Sequence, residues 1–243
     1  MSKNLVIIPT YNEKENIAKI IEAVFSLEKP FHVLIVDDNS PDGTADIVKD
    51  LQNLYPNSLF IVEREGKLGL GTAYILGFRW ALDHGYDFIF EMDADFSHNP
   101  KDLVRLYDTC SEEGVDMAVG SRYTKGGKLK NWPWDRIFIS FGASLYVRLI
   151  TLMPIKDPTA GFVCYSRKVL ETIDLDKIRF VGYAFQIEMK FATYTLGFNI
   201  SEIPITFTDR VEGTSKMNSS IVSEAIKGVI QMKLNSFSGN YKK

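Results

Sequence analysis

Acidic residues stand directly after apolar runs at three places in the first hundred residues, and their types and spacing define the chemistry on offer. The clearest is Glu91-Met92-Asp93-Ala94-Asp95, which continues an apolar run from Phe88. In an extended segment residues i and i+2 point the same way, so Asp93 and Asp95 can converge on one ligand. Two carboxylates, completed by water and phosphate oxygens, suit a hard divalent cation such as Mg2+ or Mn2+. A plainer reading, two solvated loop acids, carries equal weight for the pair in isolation. The second place is Pro9-Thr10-Tyr11-Asn12-Glu13. Its ring and carboxylate can stack on and hydrogen-bond a nucleotide base; alternatively, Glu13 and Glu15 simply meet the positive end of a helix dipole. The third is Val36-Asp37-Asp38. An acid after such a strand commonly reaches a ribose or base. Capping by Asp42-Gly43-Thr44 accounts for the following turn but not for both upstream acids. Three such clusters would meet at one rim of a sheet, and acids with purely structural roles seldom cluster this way.

Cations are available to answer them. Arg122 follows Gly120-Ser121, and Arg210 and Lys216 lie in a glycine-containing stretch, residues 209–216. Arg and Lys on a loop can close over a diphosphate and stabilise its leaving charge, although each taken singly reads equally as surface charge. The run Lys67-Leu68-Gly69-Leu70-Gly71-Thr72 lacks the order of a phosphate loop, and Tyr74 stands where a dinucleotide fingerprint needs glycine. It reads as a tight turn into a helix, with Lys67 as an anion contact. His32, His84 and His98 have no spacing that would build a nucleophilic triad.

The elements that must position these residues follow from hydrophobic pattern. Strands are expected at Leu5–Ile8, Val33–Val36, Leu59–Val62 and Phe88–Met92. Helices are expected at Glu13–Phe25, Ala45–Leu54 (capped by Thr44) and, led into by Gly69-Leu70-Gly71-Thr72, up to about Asp83. Strand and helix alternate four times with continuously apolar strands, the pattern of an α/β fold whose mostly parallel sheet is covered on both faces. Further on, Asp102–Cys110, Ile137–Thr151, Phe185–Tyr194 and Ser219–Lys233 read as helices. Met117–Gly120, Phe162–Ser166 and Ile200–Thr206 read as strands, and Tyr123–Trp134 reads as a loop. With 243 residues and no linker or repeat, residues 1–243 read as a single domain. A net charge of −3 argues against a nucleic-acid partner, and two distant cysteines argue against a disulfide scaffold or structural zinc site and for a reducing, cytoplasmic setting.

Taken in order, the motifs resemble the dolichyl- or polyprenyl-phosphate mannose synthases, members of the inverting family 2 glycosyltransferases. The resemblance runs from Leu5 to Lys216 through Ile8-Pro9-Thr10-Tyr11-Asn12-Glu13, Val36-Asp37-Asp38, Met92-Asp93-Ala94-Asp95-Phe96-Ser97-His98 and Gly120-Ser121-Arg122-Tyr123. It continues through Asp157-Pro158-Thr159-Ala160-Gly161-Phe162, Gly182-Tyr183-Ala184-Phe185-Gln186-Ile187-Glu188 and Asp209-Arg210 to Ser215-Lys216. It implies a GT-A fold, with a Rossmann-like nucleotide-sugar half and an acceptor-side half, and transfer of mannose from GDP-mannose to a polyprenyl phosphate. By position, Pro9, Tyr11, Glu13, Val36 and Asp38 would hold the nucleotide. Asp93 and Asp95 would hold Mg2+ or Mn2+ with Ser97 nearby. Arg122, Arg136, Ser140, Arg210 and Lys216 would bind donor or acceptor phosphates, Gln186 and Glu188 would shape the sugar site, and Asp157 stands at a motif position whose role is open. Asp95, Asp157, Arg210 and Lys216 are the catalytic candidates.

The chain departs from relatives with an Arg and an Asn where Ser140-Phe141-Gly142-Ala143-Ser144 stands, and it lacks the QxxRW motif of processive synthases. The implied lipid acceptor calls for a surface facing the cytoplasmic side of a membrane, with Ile137–Met153 and the final helix as candidates against an ordinary core reading. A separate membrane protein is a candidate partner. Two alternatives stay open: a polyprenyl-phosphate glycosyltransferase using UDP-glucose or another nucleotide sugar, and a non-catalytic nucleotide-sugar-binding subunit of a membrane complex. A phosphate monoester acceptor is already anionic near neutral pH, so the chemistry needs alignment and charge neutralisation rather than a strong base.

Overall fold

The structure is a computed structural model and describes residues 2–182, 184–209, 228–234 and 241–243. Its first half is an alternation of strand and helix: β1 (Asn4–Thr10), α1 (Ile17–Phe25), β2 (His32–Asp37), α2 (Thr44–Gln52), β3 (Leu59–Glu63), α3 (Leu70–Asp83) and β4 (Phe88–Glu91). Then come α4 (Asp102–Ser111), β5 (Met117–Ser121), β6 (Lys128–Lys130), α5 (Trp134–Thr151), β7 (Val163–Ser166), α6 (Arg167–Thr172), α7 (Ala184–Thr195), β8 (Ile200–Pro204) and β9 (Thr206–Thr208). Residues 228–234 are helical.

Seven strands form one sheet in the order β3-β2-β1-β4-β7-β5-β8, and β6 pairs with β9 in a small second sheet. Among the described residues, only β7 runs antiparallel to its neighbours in the large sheet. The reason lies in side-chain alternation. In β1, Leu5 and Ile7 pack on one face while Val6 and Ile8 pack on the other, and all four are fully buried. A strand apolar on both sides belongs inside a sheet sandwiched by helices. Helix α1 covers one face with Ile17, Ile20, Ile21 and Val24, the i, i+3, i+4, i+7 stripe that a single buried face requires.

The doubly covered sheet bears out the α/β expectation, while several local readings shift. Residues 123–134 are not wholly a loop, because Lys128–Lys130 pairs with Thr206–Thr208. The single strand expected over Ile200–Thr206 divides at Ile205, whose buried side chain joins the same core cluster as Phe162 and Leu103. Helix α5 starts three residues earlier than Ile137, directly after Pro133, where proline's missing N–H costs nothing. At α2 the cap position is Gly43, left-handed at φ 89°, and Thr44 is the first helical residue; the preceding Asp42 carboxylate accepts from Thr44 N at 3.0 Å and from the Thr44 hydroxyl at 2.6 Å. Of the expected final helix, residues 219–227 lie outside the described residues, and residues 228–234 are helical.

Candidate active site

Parallel pairing fixes where the acids go. In the register, Thr10 stands beside Asp37 and Ile7 beside Glu91, so the carboxyl ends of β1, β2 and β4 share one rim. Strand β5 runs parallel to β4 across the antiparallel β7, with Val119 and Glu91 both opposite Val163. Ser121 and Arg122 therefore emerge at the same rim, and the segment from Asp157 enters β7 there. Ligand sites of open α/β sheets lie beyond this edge.

The turns after β1 and β2 are stapled together. Asp37 is fully buried, and its carboxylate accepts from Thr10 Oγ1 at 2.7 Å, Ser40 N at 2.8 Å and Ser40 Oγ at 2.7 Å. Asn12 N donates to Ser40 Oγ, Glu13 N to Thr44 Oγ1 and Lys14 N to Asp42. Asn12 and Asn39 take the left-handed conformation these turns demand, one that asparagine tolerates best after glycine. Asp37 is thus a turn-former, while Asp38 faces Arg64: the guanidinium donates through Nε at 2.6 Å and is ion-paired through Nη2. Burial pushes the Asp38 carboxyl up, and Arg64 pulls it back. Arg64 also donates to Thr72 Oγ1 at 2.6 Å and Gly69 O at 3.2 Å, tying the turn before α3 to Asp38. Tyr11 lies under the Lys67 ammonium, 4.9 Å from ring centre to Nζ. Val36 puts its side chain into the core, and Pro9 is half-buried.

The Gly69-x-Gly71 turn has a packing role. Gly71 N donates to Val181 O at 2.8 Å, and a Cβ on Gly71 would lie 2.7 Å from Phe180 O. A protein carbonyl thus occupies a helix N-terminus that could otherwise have received an anion.

At β4 the chain turns sharply. Asp95 is buried and its Oδ1 accepts from Ser97 N at 3.0 Å, while Phe96 between them is left-handed at φ 57°. Asp93 is half-buried. The buried Ser97 hydroxyl has no hydrogen-bond partner among the described residues. Two carboxylates and an orphaned hydroxyl at i, i+2 and i+4 form an all-oxygen donor set, which fits a hard divalent cation. No group of three or more His, Cys, Asp or Glu suited to a metal occurs among the described residues. His98 stacks on Phe162 with ring centres 4.8 Å apart, and burial pulls its imidazole down to about 4, so it is neutral at physiological pH.

At the carboxyl end of β5, Arg122 and Asp157 form a buried pair. Asp157 is fully buried and accepts from Arg122 N at 2.9 Å, Nε at 2.7 Å and Nη2 at 2.6 Å. Thr159 Oγ1 accepts from Nη2 at 2.7 Å. Burial alone would raise the Asp157 carboxyl, but Arg122 outweighs it and holds the group below its ordinary value. The rings of Tyr123, Trp132 and Phe207 surround the guanidinium within 5.8 Å. Arg136 lies 4.0 Å above the Trp132 ring and is ion-paired to Asp209 at 2.8 Å. Ser140 Oγ and Tyr123 OH share a 2.8 Å hydrogen bond. Thr208 N donates to Ser97 O at 3.1 Å, which joins this side to the Asp93–Ser97 turn. Arg210 and Lys216 lie outside the described residues.

Gln186 and Glu188 are buried in α7. Glu188 accepts from the backbone N–H groups of Arg179 at 2.8 Å and Phe180 at 3.0 Å, so it shapes the segment that crosses the start of α3. Gln186 lies beside Lys190, a fully buried lysine whose Nζ donates to Ala160 O at 2.6 Å. Burial pushes Glu91 up to about 8 and pulls Lys190 down to about 8, each opposed by the other's charge. Sequence reasoning missed Arg64, Glu91 and Lys190. Arg64 directly follows β3 and could have been found by the strand-end rule that found the acids. Lys190 had a signal too, as the one cation in α7, a helix buried at every position from Ala184 to Thr193.

The model of the family described as glycosyl transferase family 2 matches residues 5–174. A polyprenol monophosphomannose synthase of Mycolicibacterium smegmatis is 46% identical over 224 residues, 92% of this chain and 84% of the relative. An undecaprenyl-phosphate mannosyltransferase of Micrococcus luteus is 45% identical over 225 residues, 93% of this chain and 91% of the relative. Among solved structures, glucosyl-3-phosphoglycerate synthase from Mycobacterium tuberculosis, in complex with Mn2+, UDP and glucosyl-3-phosphoglycerate, superposes with a TM-score of 0.68 at 17% identity, covering 96% of this chain and 79% of that one. A mannosyltransferase from Pyrobaculum calidifontis in complex with GDP-mannose and Mn2+ gives 0.59 at 17% identity, with 96% and 63% covered.

Proposed function

The chain belongs to glycosyl transferase family 2 and has the GT-A fold, and from that premise we propose that it transfers mannose from GDP-mannose to a polyprenyl phosphate. The observation that carries this reading is the 45–46% identity, over more than nine tenths of the chain, to two relatives named for that chemistry.

The rim supplies matching parts. Tyr11, Glu13 and Asp38, with Pro9 and the Val36 backbone, form the nucleotide side, and Arg64 fixes Asp38 within it. Asp93, Asp95 and Ser97 are the set that would hold a divalent cation, Mg2+ or Mn2+. Such an ion neutralises charge on the diphosphate. Arg122, Arg136 and Ser140 line the side from which an anionic acceptor approaches, with Arg210 and Lys216 assigned to the phosphates from their place in the sequence. An oxygen of the lipid phosphate attacks the sugar C1, the bond from C1 to the diphosphate oxygen breaks, and GDP leaves with the electron pair. Attack opposite the leaving group inverts the α linkage to β. The acceptor carries its own negative charge, so the protein's task is alignment and electrostatic stabilisation. The whole of residues 1–243 acts as one catalytic domain in this reading.

A lipid acceptor brings the enzyme to a bilayer surface. No helix among the described residues is long and apolar enough to cross a membrane. Helix α5 instead carries Trp134, Phe138, Phe141, Leu145 and Leu149, with Leu152 just beyond, along one face at helical spacing, each between 43% and 77% exposed. Residues 123–156 hold six cations, Lys125, Lys128, Lys130, Arg136, Arg148 and Lys156, against one acid, Asp135, in a chain of net charge −3. An apolar stripe in a basic surround fits peripheral docking on an anionic cytoplasmic leaflet.

The test is transfer of radiolabel into lipid by purified protein given Mg2+, a short polyprenyl phosphate and either GDP-mannose or UDP-glucose. Label from GDP-mannose alone is expected. Label from UDP-glucose alone would move the protein to another donor.

A further inference from the structure

Lys190 has no solvent exposure at all, although it lies on the helix that carries Gln186 and Glu188. Removing an ammonium from water costs several kcal/mol unless it is well satisfied. Here its Nζ donates to Ala160 O at 2.6 Å, Gln186 O at 3.1 Å and Gln186 Oε1 at 3.3 Å, using all three of its protons. Each contact reaches a different part of the rim. Ala160 closes the segment Asp157–Gly161, whose first residue holds Arg122 through three N–H bonds. Gln186 Oε1 is turned toward the ammonium, which directs its Nε2 toward Gly161 and the Glu91 side. Glu91 is the last residue of β4, two before Asp93, and its fully buried carboxylate is approached by the Gln186 amide and the Tyr165 hydroxyl. Lys190 and Asp157 are also close enough to interact electrostatically.

We propose that Lys190 is a positioning residue for glycosyl transfer, a buried cationic pin that holds the Asp157–Gly161 segment and the Gln186 amide in the arrangement that presents Arg122 and the Asp93–Asp95 turn to the substrates. The inference rests on the transferase reading above. It asks nothing of Lys190 toward substrate, because no atom of it reaches the surface. A lysine placed only for stability would be poorly chosen, since a well-packed apolar side chain of similar volume usually serves as well or better.

The experiment compares wild type with Lys190→Gln, which keeps a neutral donor for Ala160 O, and Lys190→Met, which keeps none. Steady-state transfer from GDP-mannose is measured with circular dichroism as a fold check and hydrogen exchange across residues 157–161. The expected result for Lys190→Gln is a folded protein with donor KM within threefold of wild type and kcat down by about 100-fold, the scale set by ångström-level misplacement. Faster exchange at 157–161, with β1 and β2 unchanged, is expected in both variants. A kcat within twofold of wild type in folded Lys190→Gln overturns the inference while leaving the transferase reading intact. If wild type itself transfers no mannose, that reading fails, and exchange decides the pin separately: unchanged protection at 157–161 in both variants overturns it, and selective loss supports it.

Discussion

Asp157→Asn is the substitution whose consequence can be worked most closely from the structure. The side chain keeps its shape but loses its charge and turns an NH2 group toward a guanidinium. Three N–H bonds from Arg122, at 2.6–2.9 Å, lose their ionic acceptor, and Thr159 is left as the nearby oxygen partner. Asp157 is fully buried and the Arg122 side chain is 10% exposed, so the stranded cation cannot turn to water. Breaking one side of a buried pair costs about 3–5 kcal/mol. Taking about 3 kcal/mol for the isosteric change, and about 2–4 °C per kcal/mol for a chain of this size, the melting temperature should fall by about 6–12 °C.

The pH dependence of that loss follows from the direction of the shift. Arg122 holds the Asp157 carboxyl below its ordinary value of 3.8 in the folded protein. Stability from the pair is therefore present above that value and lost as pH falls through the lower folded one. The gap between wild type and Asp157→Asn, followed by calorimetry, should be flat from about pH 5 to 8 and narrow only in stronger acid. A double variant, Arg122→Met with Asp157→Leu, should recover much of the lost stability because no buried charge remains unpaired. Its transfer activity should stay low, since the guanidinium is gone. A fall of less than about 2 °C in the single variant, or a double variant as unstable as the sum of its singles, would refute the reasoning.

Other outcomes follow from the same geometry. Gly71→Ala should destabilise by about 1–3 kcal/mol in chemical denaturation, because the added Cβ would lie 2.7 Å from Phe180 O. Gly142→Ala, inside α5 with nothing within 4 Å of the added atom, should stabilise by up to about 1 kcal/mol. Asp95→Asn should keep its fold and lose nearly all mannose transfer along with its dependence on added Mg2+ or Mn2+; activity near wild type would remove Asp95 from the metal site. Phe138→Ser with Leu149→Ser should leave the melting temperature unchanged, because both side chains are already exposed, yet weaken co-sedimentation with vesicles containing anionic lipid. Equal sedimentation would transfer the docking face elsewhere.

What the sequence disclosed, and what it withheld, divides along the range of the forces involved. Strand interiors were legible because a residue such as Ile7 or Val36 must satisfy two apolar layers at once, and that demand is written in neighbouring letters. The rim was legible for the same reason, since parallel strands deliver their ends to one edge whatever the loops do. Partners across long separations were not legible. Asp38 and Arg64 are 26 residues apart, Arg122 and Asp157 are 35, and Ala160 and Lys190 are 30. Nothing local distinguishes an arginine that meets a phosphate from one that is held by a buried aspartate. The same blindness affected the break at Ile205, where the chain leaves one sheet for another because Lys128–Lys130 offers a second edge. Several charged residues at this rim are held to another side chain: Arg64 to Asp38, Asp157 to Arg122, Lys190 to Gln186. A charged residue that is fully buried beside a functional rim is better read as holding another residue in place than as meeting substrate itself. Its burial, rather than its letter, carries that information.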